Sequence, residues 1–281
     1  MFDPYQKKII NTISGSMPEG MITTRHTDEG HFYAVNKNGV EVIYPSVTGK
    51  LQIFKDESLM LYKMNRALDY VFGNYPLFTS ENIMTHLEAA GKASADILED
   101  AGDIGRRIHG YTENYFRDWI KNEERPADIL SYIPKEEYDI RAVSALRALG
   151  KFCTEKSYTP LATELYVFSH ILKCGGTLDD IGMMGDDLVL LDLKTSNQFK
   201  DHYFFQVALY YFMFKELTNL KINKCYILKV SKEDGTYKLE DLKNPSKLIN
   251  YARSIIRVND GLRYIKTLRK DNQKTVVKVD L

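Results

Sequence analysis

Three charged side chains, Asp179, Asp192 and Lys194, interrupt two apolar runs near the middle of the chain, in GGTLDDIGMMGDDLVLLDLKTSN (residues 175–197). The runs have the length and the aliphatic content of buried β-strands. A charged group inside such a sheet is costly unless it is paired or binds a ligand. These three side chains are therefore the first candidates for chemistry.

The turn between the two runs determines how the charges meet. Gly185-Asp186 is typical of a two-residue β-hairpin loop, which would pair Met184 with Asp187. Continued along the strands, this register places Asp179 directly opposite Asp192. Lys194 then lies diagonally across from Asp179 and on the same face.

Two directly opposed carboxylates, with Cβ atoms about 4.5–5.5 Å apart, repel each other strongly in an apolar sheet. A divalent cation such as Mg²⁺ or Mn²⁺ would remove that conflict, because hard cations bind clustered oxygen ligands. Lys194 beside them would attract an anion. The alternative is a purely structural Asp–Lys ion pair with a spare acid. A register slip of one residue would weaken the case for a cation.

The rest of the sequence predicts elements that could position this hairpin. The order is helices first, then the hairpin, then strand–helix–strand, which is typical of an α/β fold with a mixed central sheet. Gly102 and Gly105 predict a break or a close backbone approach within the second helix. We expect helices over residues 57–73, 80–122, 135–157, 199–218 and 246–270, and strands over 161–170, 175–184, 187–194 and 224–230.

The N-terminal region predicts a small β element. Residues 21–44 alternate between polar and apolar types and turn at Asn38-Gly39, a strong hairpin dipeptide. The segment YPSVTGKLQIF follows, where Pro45 ends the strand and Ser46 or Thr48 can cap a short helix.

Composition sets broad limits on function. The chain has 281 residues, 44% hydrophobic and 27% charged, with 38 basic and 38 acidic residues, so net charge indicates no partner class. The segment from residue 243 to 281 is basic, which suits a polyanionic ligand or a solvated helix face. Three separated cysteines make a disulfide framework or a Cys-ligated metal site of usual spacing unexpected.

Targeting signals are not evident. The start, MFDPYQKKII, has no apolar core of signal-peptide length, and no run approaches the roughly 18 apolar residues of a membrane span. We therefore expect a cytoplasmic protein without a membrane partner.

The hairpin and four further segments resemble one nuclease superfamily. GGTLDDIG…LVLLDLKTS resembles the D…(D/E)xK core of PD-(D/E)xK nucleases, and most closely that of the RecB-type branch with its Cas4-like and mitochondrial-genome-maintenance-type exonucleases. The other segments follow in the family's order: YPSVTGKL, IGRRIHGYTENYF, LATELYVFS and YFFQVALYY. The resemblance covers residues from about 45 to about 215.

The resemblance implies a role for two further side chains. His109 matches the family's helical metal ligand, and Glu164 matches its strand glutamate. On its own, a helical histidine is more often solvated or capping, and Glu164 equally suits a solvated strand end. The implied metal ligands are His109, Asp179, Asp192 and the backbone of Leu193. The implied catalytic residues are Lys194, Asp192, Asp179 and Glu164.

Substrate contacts are implied for a second group of residues. Gln206 and Tyr210 match a Q-x-x-x-Y helix, although a core stripe with buried rings is the alternative. Ser46 and Thr48 lie where a phosphate could bind, with plain capping slightly favoured. Ser196 follows Lys194 and could bond a phosphate, or serve only as a turn residue.

The resemblance implies a restriction-endonuclease-like α/β core in a single nuclease domain spanning residues 1–281. Within it we expect an N-terminal β-hairpin segment (1–56), a helical region (57–157) and the α/β core with its C-terminal helix (158–281). The chain departs from Cas4-like members, which typically hold an iron–sulfur cluster on four cysteines.

The implied activity is that of a Mg²⁺- or Mn²⁺-dependent DNA exonuclease that hydrolyses phosphodiester bonds from single-stranded ends. Such an enzyme would serve DNA repair, recombination, replication or phage-type DNA processing. The implied partners are DNA and a helicase or recombination protein. The alternatives are an endonuclease, an RNA-acting nuclease of the same fold, or a non-catalytic DNA-binding subunit.

Overall fold

The computed structural model describes residues 1–18, 20–27, 30–37, 39–54, 57–196 and 199–274. The helices are α1 (Pro4–Ser16), α2 (Val47–Lys50), α3 (Glu57–Asn74), α4 (Ile83–Asn122), α5 (Ile140–Glu155), α6 (Asp201–Thr218) and α7 (Pro245–Lys274). The strands are β1 (Ile22–Thr27), β2 (Gly30–Lys37), β3 (Val40–Pro45), β4 (Tyr158–Ser169), β5 (Cys174–Met184), β6 (Asp187–Lys194), β7 (Lys224–Val230) and β8 (Tyr237–Asp241).

A five-stranded mixed sheet forms the centre of the fold, in the order β4-β5-β6-β7-β8. Only β6 and β7 are parallel, and α6 makes the crossover between them. Helices α4, α5 and α6 pack against this sheet. The predicted α/β class with a mixed central sheet flanked by helices is confirmed. The single-domain assignment, with its segments 1–56, 57–157 and 158–281, stays a prediction.

The N-terminal β element is larger than the predicted hairpin. It is a three-stranded antiparallel sheet in the order β1-β2-β3. Lys37 pairs with Val40, as the two-residue turn requires, and Gly39 has a φ of 78° that suits glycine. The other turn residue, Asn38, lies outside the described residues. The additional strand, β1, lies within the predicted range of residues 21–44, and most of its side chains are exposed.

Helix α4 runs without a break for 40 residues. The break predicted at Gly102 and Gly105 is therefore wrong, but the alternative of a close approach is right for Gly105. A Cβ atom added there would lie 3.1 Å from Thr195 Oγ1. The absent side chain thus lets the segment after β6 approach the middle of α4.

The remaining differences concern element ends and two elements that were not predicted, α1 and β8. Helix α5 begins at Ile140 instead of 135, because the Asp139 side chain caps it by accepting the Arg141 N–H at 2.8 Å. Helix α1 carries a capping box in which Asp3 and Gln6 bond each other's backbone at 2.8 and 2.9 Å. None of the helices in the described part of the chain combines the length and apolar character needed to cross a bilayer.

Candidate active site

Three potential metal ligands converge on the central sheet from separate elements. His109 lies on α4, Glu164 on β4 and Asp179 on β5. One ligand atom from each side chain lies within 4.8 Å of the other two, and together they form the cluster His109/Glu164/Asp179. A neutral imidazole with two carboxylates is a donor set that can hold a divalent cation.

The register of the hairpin explains how Asp179 is held. Pairing runs from Met184 with Asp187 to Asp180 with Leu191, as the turn predicted. The next predicted pair, Asp179 with Asp192, is not formed. Instead, Asp179 Oδ2 accepts the backbone N–H of Leu193 at 2.7 Å. Leu193 therefore orients the carboxylate through its N–H, and its predicted role as a carbonyl ligand stays a prediction.

Asp192 occupies a different position from Asp179. It is fully buried, and its Oδ2 lies 2.8 Å from Lys194 Nζ. The three-residue cluster contains Glu164 and does not include Asp192. The hairpin thus separates its two acids, one within the cluster and one paired with the lysine. A direct metal contact of Asp192 stays a prediction.

Glu164 has a strained backbone. Its φ is 49°, a left-handed value, although its neighbours Thr163 and Leu165 pair regularly with β5. For a residue with a Cβ atom, such a conformation costs about 1–3 kcal/mol and occurs preferentially at functional sites. The strain coincides with the position of the third ligand of the cluster.

Burial and the neighbouring charges favour the neutral form of the imidazole and disfavour the ionised form of the carboxyl groups. Burial, followed by the charge of Lys194, lowers the pKa of His109 to about 4, which leaves its nitrogen free to ligate at pH 7. Burial and the nearby Asp179 raise the pKa of Glu164 to about 8. Burial also raises the pKa of Asp179, and that of Asp192 to about 6. A cation bound here would relieve this penalty.

The pKa of Lys194 is subject to opposing influences. A general base would need a lowered pKa. Burial does act in that direction, but the charges of Asp192 and Asp179 together outweigh it and raise the pKa of Lys194. The aromatic ring of Tyr203, 5.1 Å from Nζ, adds to the stabilisation of the cation. Surrounded by these protein groups, Lys194 is a protonated ammonium at neutral pH.

An open cavity of about 500 Å³, here called the catalytic cavity, gives access to these groups. Its lining includes His109, Glu164, Asp179, Lys194 and Ser196. Tyr203, which the sequence places on one helix face with Gln206 and Tyr210, also lines the cavity. Two further lining residues, Glu113 and Thr195, were not predicted as site residues. For Glu113 a signal was available, because it lies one helical turn after His109 and shares its face of α4. No sequence pattern marked Thr195.

Gln206 and Tyr210 form a buried pair beside the cavity. Gln206 Nε2 donates to Tyr210 Oη at 2.9 Å, and both side chains are buried. The ring of Tyr210 packs against Gly176, where an added Cβ would lie 2.4 Å from Tyr210 Cε1. Their contact with a substrate stays a prediction. Both side chains are packed in the core, as the alternative interpretation of a buried stripe expects.

The remaining residues predicted to contact the substrate lie in two places, the catalytic cavity and the N-terminal segment. Ser196 lines the catalytic cavity, and its Oγ accepts the Tyr203 hydroxyl at 3.2 Å. Ser46 caps α2 by accepting the Gly49 N–H at 3.0 Å, and its Oγ lies 3.1 Å from Thr48 Oγ1. The capping alternative therefore describes Ser46, whereas Thr48 lies within α2 and bonds the Ser46 hydroxyl. The phosphate contact of both residues stays a prediction.

Comparison with known proteins leaves the family open. No protein-family profile and no curated protein matches the sequence. Among solved structures, the chain is similar to an alkaline exonuclease from Laribacter hongkongensis at 15% identity and a TM-score of 0.33, over 57% of this chain and 84% of that one. It is also similar to the crystal structure of SSO0001, at 14% identity and a TM-score of 0.25, over 54% of this chain and 70% of that one.

Proposed function

We propose that this chain is a divalent-metal-dependent nuclease that hydrolyses phosphodiester bonds in DNA. The observation that carries the proposal is the convergence of His109, Glu164 and Asp179 to within 4.8 Å beside a partly buried Lys194 that is paired with Asp192. This combination is unfavourable as a structural core, because burial raises the pKa of its acids. It is favourable as a seat for a cation.

Different side chains of the protein would have different roles in the reaction. His109, Glu164 and Asp179 would hold Mg²⁺ or Mn²⁺, with Asp192 as a further ligand or as the partner that fixes Lys194. A bound divalent ion polarises the phosphate and makes water a stronger acid. Glu164 would either share in holding an ion or orient the attacking water.

Lys194 is better suited to stabilising the negative charge of the transition state than to removing a proton. Its ammonium group is held by Asp192 at 2.8 Å, within a cavity that a phosphate can enter. We infer that it positions the attacking water and offsets the negative charge that develops on the phosphate in the transition state. Ser196 would contribute a hydroxyl to the same phosphate.

DNA is the substrate implied by the RecB-type resemblance, with an exonuclease acting on single-stranded ends as the expected mode. Gln206 and Tyr210 would support the wall next to the bound strand. A helicase or recombination partner is part of the same expectation. RNA cleavage, endonuclease action and a non-catalytic DNA-binding role are the outcomes that a direct assay must separate.

The deciding experiment uses end-labelled linear and closed circular DNA, single- and double-stranded, with Mg²⁺, Mn²⁺ or EDTA. We expect metal-dependent release of short products from linear single strands and none in EDTA. Cutting of closed circles would replace the exonuclease proposal with an endonuclease. Preferential cutting of a matched ribose oligomer would replace DNA with RNA. Binding of DNA without any cleavage would leave only the non-catalytic role.

A further inference from the structure

A second open cavity, here called the aromatic groove, adjoins the catalytic cavity. It also has a volume of about 500 Å³, and Glu113 and Glu164 line both. From these two acids it extends under the N-terminal sheet, between β1, β2 and β4. The two cavities thus meet at the cluster ligand Glu164, and a chain-like substrate could pass from one to the other.

Aromatic rings form a continuous series along the groove. His26 and His31 stack at a centroid distance of 4.1 Å, His31 lies 4.8 Å from Tyr33, and Tyr33 lies 6.1 Å from Tyr166. Two ends of this series are open to a ligand. His26 is exposed, and 41% of Tyr166 is accessible although it lies in the middle of β4.

The middle of the series is held firmly. The hydroxyl of Tyr33 bonds Thr177 Oγ1 at 2.9 Å, and its ring fills the space above Gly175, where an added Cβ would lie 2.7 Å from Tyr33 Cβ. Tyr166 pairs with Thr177 across β4 and β5. The N-terminal sheet is therefore fixed to the central sheet at this point, and the open rings form a preorganised surface.

The charges of the groove exclude a phosphate as its occupant. Glu164 and Glu113 lie at its inner end, and the basic residue there, Arg117, is already paired with Glu113 at 2.5 Å. Burial, followed by the charge of His26, lowers the pKa of His31, so that its ring is neutral at pH 7. The groove therefore offers flat ring faces next to acids, which suits a nucleobase far better than an anion.

We propose that the aromatic groove binds the unpaired base of the nucleotide adjoining the scissile phosphate, stacked on the exposed ring of Tyr166. This inference rests on the proposed nuclease function and deepens it. A base can enter such a groove only when it is not paired within a duplex. The groove thereby provides a physical reason for single-strand preference that is independent of the metal cluster.

The test measures binding and does not depend on turnover. A fluorescent single-stranded oligodeoxythymidine is titrated with Lys194→Ala protein, so that the strand stays uncut, and anisotropy is recorded. Adding Tyr166→Ala should weaken binding about tenfold, within the range known for loss of one base–aromatic stack. Tyr166→Phe keeps the ring and should bind within about twofold. Tyr251→Ala, which removes an exposed tyrosine of α7, is the matched control and should have no effect.

A second series moves a single abasic site along the oligonucleotide. At one position next to the scissile phosphate, the lost base should weaken binding as much as Tyr166→Ala does, and combining the two changes should weaken it no further. This series also works with tyrosine in place, so the proposal stays testable if Tyr166→Ala fails to fold.

The outcomes separate this inference from the proposed function. If Tyr166→Ala and every abasic position bind as tightly as the parent protein and strand, while metal-dependent DNA cleavage persists, the base subsite is wrong and the nuclease proposal stands. If the wild-type protein neither binds nor cuts any nucleic acid, both fail. Equal binding of single-stranded and fully paired DNA would also overturn the base subsite.

Discussion

Asp179 accepts the backbone N–H of Leu193 at 2.7 Å, one residue away from the position that strict cross-strand pairing would give it. Leu193 lies between Asp192 and Lys194 in the sequence. The side chains of these two neighbours form an ion pair at 2.8 Å. The hairpin therefore places its three charged side chains in two different surroundings. Asp179 faces the cluster ligands His109 and Glu164, and Asp192 stabilises Lys194 as a cation.

Replacement of the lysine should separate catalysis from binding. Lys194→Ala should abolish metal-dependent cleavage while leaving DNA binding nearly intact, measured with end-labelled strands and by anisotropy. Lys194→Arg keeps a charge and is the matched control for the ion pair. Full activity of Lys194→Ala would contradict the role assigned to this residue.

Lys194→Ala should also affect stability, because it leaves the Asp192 carboxylate buried without its partner. Breaking a buried pair in this way costs about 3–5 kcal/mol when the remaining group stays ionised. The pKa of Asp192 is already raised to about 6, so protonation can limit the loss at lower pH. Urea unfolding should show a larger deficit at pH 8 than at pH 5, and an equal deficit at both would contradict the pairing.

Removal of the Glu164 charge should stabilise the metal-free protein. The pKa of Glu164 rises from 4.5 unfolded to about 8 folded, so the folded state binds the proton more tightly. The contribution of Glu164 to the free energy of unfolding of the wild type is therefore fully present below pH 4.5. It is lost as the pH rises towards 8. In EDTA at pH 8, Glu164→Gln should be more stable than the wild type by about 4 kcal/mol, and the gain should vanish near pH 4.5. A gain that is independent of pH would contradict this origin.

Metal binding should be visible without substrate. Mn²⁺ should raise the melting temperature of the wild type, since a ligand that binds only the folded state stabilises it. The rise should disappear in His109→Ala and Asp179→Asn. His86→Ala, which removes another histidine of α4, is the matched control and should retain it. An undiminished rise in both cluster variants would place the metal elsewhere.

The glycine next to Tyr210 should not tolerate a methyl group. In Gly176→Ala the new Cβ would lie 2.4 Å from the tyrosine ring, so the Gln206–Tyr210 pair must shift. Urea unfolding should show a loss of about 1–3 kcal/mol. Gly91→Ala on α4 has open space around it and should be neutral or stabilising. An unchanged Gly176→Ala protein would mean that the ring is free to move.

Several parts of the fold and the site could be predicted from the sequence because they depend on local patterns. Gly185-Asp186 determined the hairpin register, since a two-residue turn leaves one pairing of the flanking strands. The apolar segment KCYILKV predicted strand β7 to the residue. The motif resemblance identified His109 and Glu164, two members of the cluster, before any contact between them was known.

The tertiary structure decided what depends on the approach of distant segments. Only the packing of α4 over β4 and β5 brings His109 to Glu164 and adds Glu113 to both cavities. Only the balance of burial against two nearby carboxylates makes Lys194 a firm cation, where burial alone would lower its pKa. The aromatic groove likewise depends on docking of the N-terminal sheet. Local sequence patterns encode elements and registers, whereas charge states and cavities arise from the sum of contacts between elements.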